Sequence, residues 1–352
     1  MNMQKDNLIQ IMDQDGNVDE SAIKGISDEE ILKMYRLMVF TRLWNVKALS
    51  LQRQGRLGTL ASVRGQEASN VGMGLALEPE DWFAPAFREY GAQFARGMDP
   101  VAMFQYWGGD ERGNKPPSRT LPTCITVGSH LCHAVGIAFA AKIRGDKIAV
   151  MSSSGDGSTS QGDFHESLNF AGVFKLPVVF VIQNNFWAIS VPLHKQTASV
   201  TIAEKACAYG FDGFRVDGND IFAVYLTLKE RLADARENFR PSLVELVTYR
   251  LDDHTTSDDA SRYRTEEMIG PWRGRDPVDR LRKFLSAKRG WDEKKETDLQ
   301  AELAAEVETA VQQFESLSPP DPMHMFDHMY YEMPWHLKEQ REEMRRQIGE
   351  ER

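Results

Sequence analysis

"SSSGDGSTSQGDFHESLNFAGVFKLPVVFVIQNNFWAIS", residues 152–190, is the stretch on which the fold turns. It leaves a strand-like run, "KIAVMSSS", passes through a Gly-Asp-Gly cluster into the helix-patterned "QGDFHESLNFAGVF", and re-emerges as "LPVVFVIQ". That last run is continuously apolar, as expected of a strand buried on both faces. Strand, helix, strand in this order predicts a parallel pair joined by a right-handed crossover. Ligands of open parallel sheets gather outside the carboxyl ends of the strands, and Asp156 and Asn185 each follow a strand directly. Taken separately the two clusters are common turn sequences. Within one βαβ unit they meet at one edge.

The same alternation recurs downstream, where the strand "GFRVDG" is followed by the helix "DIFAVYLTLKERLADARENF" and the strand "SLVELVTYR". Two such units predict an α/β fold, a parallel sheet with helices on both faces. Upstream, Ser27 and Glu30 form a capping box at the start of a long amphipathic helix that Gly55 closes. "GQEASNVGMGLAL" and "DPVAMFQYWGG" read as further helices. Residues 1–27 form a loosely patterned arm. From Pro271 the chain turns mostly helical, and "ETDLQAELAAEVETAVQQFESL" is a long helix ended by "SPPDP". The expected organisation is one large domain over 1–352, with the arm at 1–27 and a helical extension at 271–352.

The chain has 352 residues, 41% hydrophobic and 27% charged, enough to bury a sizeable core. A net charge of −10 argues against a general nucleic-acid surface, which needs clustered Lys and Arg. The mixed-sign run "KEQREEMRRQIGEER" reads as a solvated helix. No window approaches the roughly 18 apolar residues of a membrane span. The N-terminal run lacks the apolar core of a signal peptide and is too acidic for a transit peptide. Cys124, Cys132 and Cys207 form an odd set without a CxxC pattern, which indicates neither a disulfide framework nor a zinc site. A cytoplasmic location is the expectation.

Asp and Asn offer the hard oxygen ligands that Mg²⁺ takes, usually one or two protein groups with phosphate oxygens and water completing the set. Gly155 and Gly157 allow backbone to approach a phosphate, with donors following at Ser158 and the helix start. "GDGSTS" half-matches the dinucleotide fingerprint GxGxxG, and an NAD-dependent oxidoreductase is the competing class. That fold wants an acidic residue at the end of the next strand, where Gln183, Asn184 and Asn185 stand instead. The Gly-rich "VGMGLAL" follows no strand and reads as helix packing. Among the histidines, His165 begins "HESLN", in which Asn169 breaks the HExxH zinc pattern, so a structural role fits it. His130 with His133, and His324 with His328, lack a third ligand nearby and read as packing or surface residues. His194 and His336 carry no pattern. His254 differs: "DDHTTSDD" is a long polar loop directly after a buried-looking strand.

GDG, a helix and a strand, then NN resembles the signature of thiamin-diphosphate enzymes. The whole segment is similar to the alpha subunit of the decarboxylating component of pyruvate and branched-chain 2-oxo acid dehydrogenase complexes. "RQGRLG", "GQEAS", "RVDGNDIFAVY", "TYRLDDHTTSDDASRYRTEE", "RDPVDRLRKFL" and "YYEMPWHLKEQ" extend the resemblance in the same order from about Asp28 to Glu343. It implies a thiamin-diphosphate-binding fold and a chain that anchors the diphosphate. Asp156, the amide of Asn185 and the carbonyl of Trp187 are the implied Mg²⁺ ligands. Gly157 and Ser158 would line the diphosphate, and Arg88 in "AFREYG" would clamp it, a role suited to a fixed fork of donors. Phe87 stands where the family commonly has Tyr, so that hydroxyl is absent. Ile125 and Val127 occupy the stretch that meets the aminopyrimidine ring, and His254 matches a catalytic histidine near the diphosphate and the reacting carbon.

The implied reaction is decarboxylation of a 2-oxo acid with transfer of the acyl fragment to a lipoyl group on an acyltransferase component. Pyruvate is the expected substrate, since "GRLGTLASVRGQEAS" and the GDG-to-NN segment resemble bacterial pyruvate-type subunits, and branched-chain 2-oxo acids are the alternative, since "VDGNDIFAVY" and "HTTSDDASRYR" also resemble that type; Ala61 stands where some pyruvate enzymes have a substrate-side His. The family draws its activating glutamate from a beta subunit, so the implied enzyme is an α₂β₂ heterotetramer in which this chain supplies half the site. The family's regulatory phosphorylation maps to the loop around Thr255 and Ser257, though no sequence feature implies a kinase. A non-catalytic paralogue would be expected to lack Asp156 or Asn185.

Overall fold

A computed structural model describes residues 8–350; residues 1–7 of the arm and 351–352 of the C-terminal run lie outside the described residues. Among the described residues seven strands follow in chain order: β1 (Trp82–Ala84), β2 (Val150–Gly155), β3 (Val178–Asn184), β4 (Trp187–Ala188), β5 (Val191–Pro192), β6 (Asp212–Asp217) and β7 (Ser242–Val247). Five of them form a parallel sheet in the order β1-β2-β3-β7-β6, while β4 and β5 pair as a small antiparallel ribbon. The expected βαβ unit is there: β2, the helix Gly162–Phe174, then β3, with Gly155 in register with Gln183. The second unit runs β6, the helix Ile221–Asn238, β7.

Helices cover both faces, and the pleat assigns side chains between them. Val178, Phe180 and Ile182 of β3 pack with Leu131 and Ala134 of the helix Ser129–Arg144 and Phe164 and Leu168 of the helix Gly162–Phe174. Val179 and Val181 turn to the other side, into the larger core with the helices Asp28–Arg53, Glu67–Ala76 and Ile221–Asn238. Every residue of β3 is buried, the reason its sequence shows no polar alternation.

The long helix Asp28–Arg53 begins where the capping box places it, with Ser27 Oγ accepting from the Glu30 N–H and the Glu30 carboxylate accepting from the Ser27 N–H. "VGMGLAL" is helical and its glycines are contact points. A Cβ on Gly72 would lie 2.5 Å from Val224 Cγ1, and one on Gly74 2.5 Å from the Ala92 carbonyl oxygen. The helix packing read from the sequence is what these distances require.

The arm has a structural task that its weak pattern hides. Ile9 bridges Val216 in parallel, with the Ile9 N–H donating to the Arg215 carbonyl at 2.8 Å, so it covers part of the open edge of β6. Beyond Pro271, the helices Pro277–Lys288, Glu293–Glu315 and Trp335–Glu350 confirm the helical C-terminal segment. Two elements leave little trace in the sequence pattern. β1 has only three residues, too few to show a period, and Ser129–Arg144 is rich in Ala, which blurs its apolar face. No described helix is long and apolar enough to cross a membrane.

Candidate active site

Four strands of the sheet end at one cavity of ≈ 670 Å³. After β1 come Phe87 and Arg88, after β2 Asp156, Gly157 and Ser158, after β3 Asn185 and Trp187, and after β7 the loop that carries His254. Ile125 and Val127 enter from the segment before the helix Ser129–Arg144 and leave much of their apolar surface exposed. All ten residues singled out from the sequence therefore line the same cavity. Parallel strands aligned in register deliver their following loops to one side, which is why residues so far apart in the chain converge.

The polar side of this cavity is unusual in its charge balance. Arg88 is buried, and its guanidinium donates to the carbonyl oxygens of Ser62 and, at 3.1 Å, of His254. Arg250 is fully buried and donates to the Ile189 carbonyl at 2.8 Å and the Tyr263 hydroxyl at 2.9 Å. Neither has a carboxylate within ion-pair distance among the described residues. Burial, and then the field of Arg250, push Arg88 down to about 10, so it remains charged at neutral pH. Two buried cations with no carboxylate at ion-pair distance are costly unless an anion joins them.

His254 lies between them. Its Nδ1 is 3.2 Å from Arg88 Nη2 and 3.0 Å from Arg250 Nη1. Both neighbours are obligate donors, so Nδ1 accepts and the proton sits on Nε2. Burial and then the two arginines push His254 down to about 3, leaving the ring neutral. Its backbone N–H donates to Asp258 Oδ2 at 2.9 Å, and the Tyr263 hydroxyl donates to the same oxygen. The Phe87 ring stands edge-on to the imidazole at 6.0 Å between centroids.

Asp156 faces the opposite problem. It is 1% exposed, Gln196 Nε2 donates to its Oδ2 at 3.0 Å, and its buried Oδ1 has no hydrogen-bond partner among the described residues. Burial pushes this carboxyl up to about 6, against hydrogen bonding from Gln196 and from the backbone N–H groups of Asp156 and Asn185, and against the field of Arg250. A bare carboxylate oxygen in a buried site fits a cation. Asn185 donates from Nδ2 to Gln66 Oε1 at 3.4 Å and accepts the Trp187 N–H on Oδ1 at 3.2 Å. No group of three or more His, Cys, Asp or Glu among the described residues could hold a metal alone. A cation here needs outside oxygens, the coordination Mg²⁺ takes from phosphates.

Gly157 forms the floor of the cradle: a Cβ there would lie 2.9 Å from Ala188 Cβ in the β4–β5 ribbon. Ser158 Oγ donates to the Gly155 carbonyl at 2.7 Å and lies 2.6 Å from Ser154 Oγ, bonds that brace the turn Asp156–Ser160. Beneath it, Glu89 accepts from Ser153 Oγ and from Gln183 Nε2, both at 2.9 Å, tying the ends of β2 and β3 to the Arg88 loop.

A buried carboxylate oxygen without a hydrogen-bond partner, beside arginines without a carboxylate at ion-pair distance, fits a cation bound together with an anion. The sequence matches the family described as Dehydrogenase E1 component over residues 35–323. The chain belongs to that family. A relative from Acholeplasma laidlawii, named pyruvate dehydrogenase E1 component subunit alpha, is 42% identical over 341 residues, covering 96% of this chain and 99% of its own. Proteins of the same name from Staphylococcus aureus and Staphylococcus epidermidis are 39% identical over 339 residues, covering 95% of this chain and 92% of theirs. Dehydrogenase E1 components of this family are thiamin-diphosphate-dependent, so this chain is an enzyme of that cofactor.

Several residues of this E1 site carry no sequence signal of their own. Gln66 lies in a helix-patterned motif, Gln196 in an unpatterned stretch, and Arg250 stands four residues before the more conspicuous His254. One clue is available for Arg250: it is a charged residue placed shortly after the all-buried strand β7. The histidines left out of the site stay outside it. His130 is buried with its Nε2 2.7 Å from the Ser153 carbonyl, His133 is exposed, and His165 contacts the Tyr209 hydroxyl.

Proposed function

We propose that this chain, with a beta subunit, decarboxylates pyruvate and passes the acetyl group to the lipoyl group of an acyltransferase component, and that it anchors the Mg²⁺-diphosphate end of the cofactor. The observation that carries this reading is one cavity in which buried Arg88, with no carboxylate at ion-pair distance and with buried Arg250 close by against His254, faces a buried Asp156 oxygen lacking a hydrogen-bond partner among the described residues. The names of the relatives support pyruvate.

Thiamin diphosphate, when bound, supplies the carbanion chemistry that lets a 2-oxo acid lose carbon dioxide. The chain's own work is to bind, orient and shield. Asp156, Asn185 and the Trp187 carbonyl would hold Mg²⁺, while Arg88, with the charge of Arg250 behind His254, would neutralise the phosphates and Gly157 with Ser158 would let them approach backbone. His254 presents its Nε2–H as a neutral donor in the cavity that Arg88 also lines, and it is our candidate catalytic residue for steadying developing charge. Phe87 packs against that ring, and Ile125 with Val127 offers an apolar face to the aminopyrimidine. Their exposure matches a site completed by another chain, and we take the working enzyme as α₂β₂. Residues 1–352 are proposed to act as one diphosphate-anchoring unit, and three unpaired cysteines favour a cytoplasmic setting.

Co-expression with the partner subunit, followed by a panel of 2-oxo acids with thiamin diphosphate and Mg²⁺, tests the proposal. Carbon dioxide release is expected to be fastest from pyruvate and absent from this chain alone. Faster turnover of branched-chain 2-oxo acids would reassign the substrate, and robust decarboxylation by the single chain would sink the two-chain reading.

A further inference from the structure

Gln196 belongs to neither polar cluster at the strand ends, yet its carboxamide is wired into both the ribbon and the candidate metal ligand. Its amide nitrogen donates to Asp156 Oδ2 at 3.0 Å and to the Val191 carbonyl of β5 at 3.2 Å. These bonds use both N–H groups. They leave Gln196 Oε1 buried and without a partner among the described residues, near Gly157, whose added Cβ would lie 3.9 Å from it.

The terminal torsion of an aspartate is broad and weakly restrained on its own. A buried carboxylate that must present one oxygen to a cation therefore needs its plane held by something else. Among the described residues, only Gln196 does so from a side chain: it occupies Oδ2 and leaves Oδ1 bare. Asn185 has a longer counterpart in Gln66, whose Oε1 takes the amide N–H at 3.4 Å and so holds the amide against flipping.

We propose that Gln196 is a positioning residue for the metal site: it locks the Asp156 carboxylate so that Oδ1 meets the cation, and it offers Oε1 to a water on that cation. This rests on the reading of Asp156 as a Mg²⁺ ligand. Groups that orient a ligand in this way commonly change metal affinity by about 10- to 100-fold when removed. Gln196→Leu keeps the bulk and removes the amide.

The test uses the enzyme co-purified with its partner subunit, with Mn²⁺ as the probe at saturating thiamin diphosphate and free Mn²⁺ followed by electron paramagnetic resonance. Gln196→Leu is expected to weaken Mn²⁺ binding by about tenfold or more. The melting temperature of the metal-free enzyme is expected to stay at the wild-type value. Asp156→Ala is the second arm. If it loses Mn²⁺ binding while Gln196→Leu binds within twofold of wild type, the positioning role is wrong and the metal reading stands. If Asp156→Ala binds Mn²⁺ like wild type, the metal reading falls and the role of Gln196 falls with it. A metal-free Gln196→Leu enzyme that melts well below wild type, and whose Mn²⁺ affinity is restored on cooling, would make Gln196 a fold residue and overturn the proposal.

Discussion

Asp156→Asn is expected to make the metal-free protein more stable while destroying its candidate metal site. The carboxyl is 1% exposed, one of its oxygens has no partner, and burial raises its pKa from 3.8 to about 6. A tenfold change in proton affinity corresponds to about 1.4 kcal/mol, so a rise of roughly two in pKa means about 3 kcal/mol of strain on the ionised, folded form. The folded state holds this proton more tightly than the unfolded state, so stability contributed by the group is complete below the unfolded value. It is lost as pH rises toward about 6 and stays lost above it. A neutral amide of the same shape escapes that loss.

The measurement is urea unfolding of wild type and Asp156→Asn, both stripped of metal and cofactor, followed by tryptophan fluorescence across the acid to neutral range. At a pH of about 7.5 the variant should exceed wild type by about 3 kcal/mol, and the gap should close as pH falls toward the unfolded value. At about 2.1 cal/mol/K per residue, that gap is worth about 4 °C in melting temperature for a chain of this length. Adding Mg²⁺ with thiamin diphosphate should stabilise wild type and leave the variant unchanged. Equal stability of the two metal-free proteins at that pH, or a gap that ignores pH, would refute the argument that Asp156 is an uncompensated charge awaiting a cation.

Two other outcomes follow from the same cavity. His254, held neutral by burial and two arginines, should show a single Nε2–H tautomer by nitrogen NMR with no titration between about pH 5 and 8, and a bound metal-diphosphate should raise its value by offsetting the arginines. Gly157→Ala should weaken diphosphate binding measured by calorimetry with the circular dichroism spectrum intact, because the new Cβ meets Ala188 at 2.9 Å in a small ribbon that can shift.

How much of the site is legible in the sequence depends on what kind of signal each residue leaves. β3 announces itself because a strand buried on both faces must be apolar at nearly every position, and the helix Asp28–Arg53 because its cap is written in Ser27 and Glu30. Arg88 follows a strand of three residues, so the family resemblance, and not any period, singles it out. Gln66, Gln196 and Arg250 reach the site through hydrogen bonds to other residues of it. Such contacts leave no local pattern, since for Gln66 and Gln196 the partner lies tens of positions or more away, and Arg250 reaches both near and distant groups.

By itself the sequence determined the alternation of strands and helices, and with it the expectation that Asp156 and Asn185 share one edge. These follow from local periodicity and from the handedness of crossovers, both of which act over a few tens of residues. Only the tertiary structure decided the electrostatics. It placed Arg88, Arg250 and His254 within hydrogen-bonding distance and left Asp156 Oδ1 without a donor. Charge balance in a buried cavity depends on every group that faces it, and those groups arrive there from four separate strand ends.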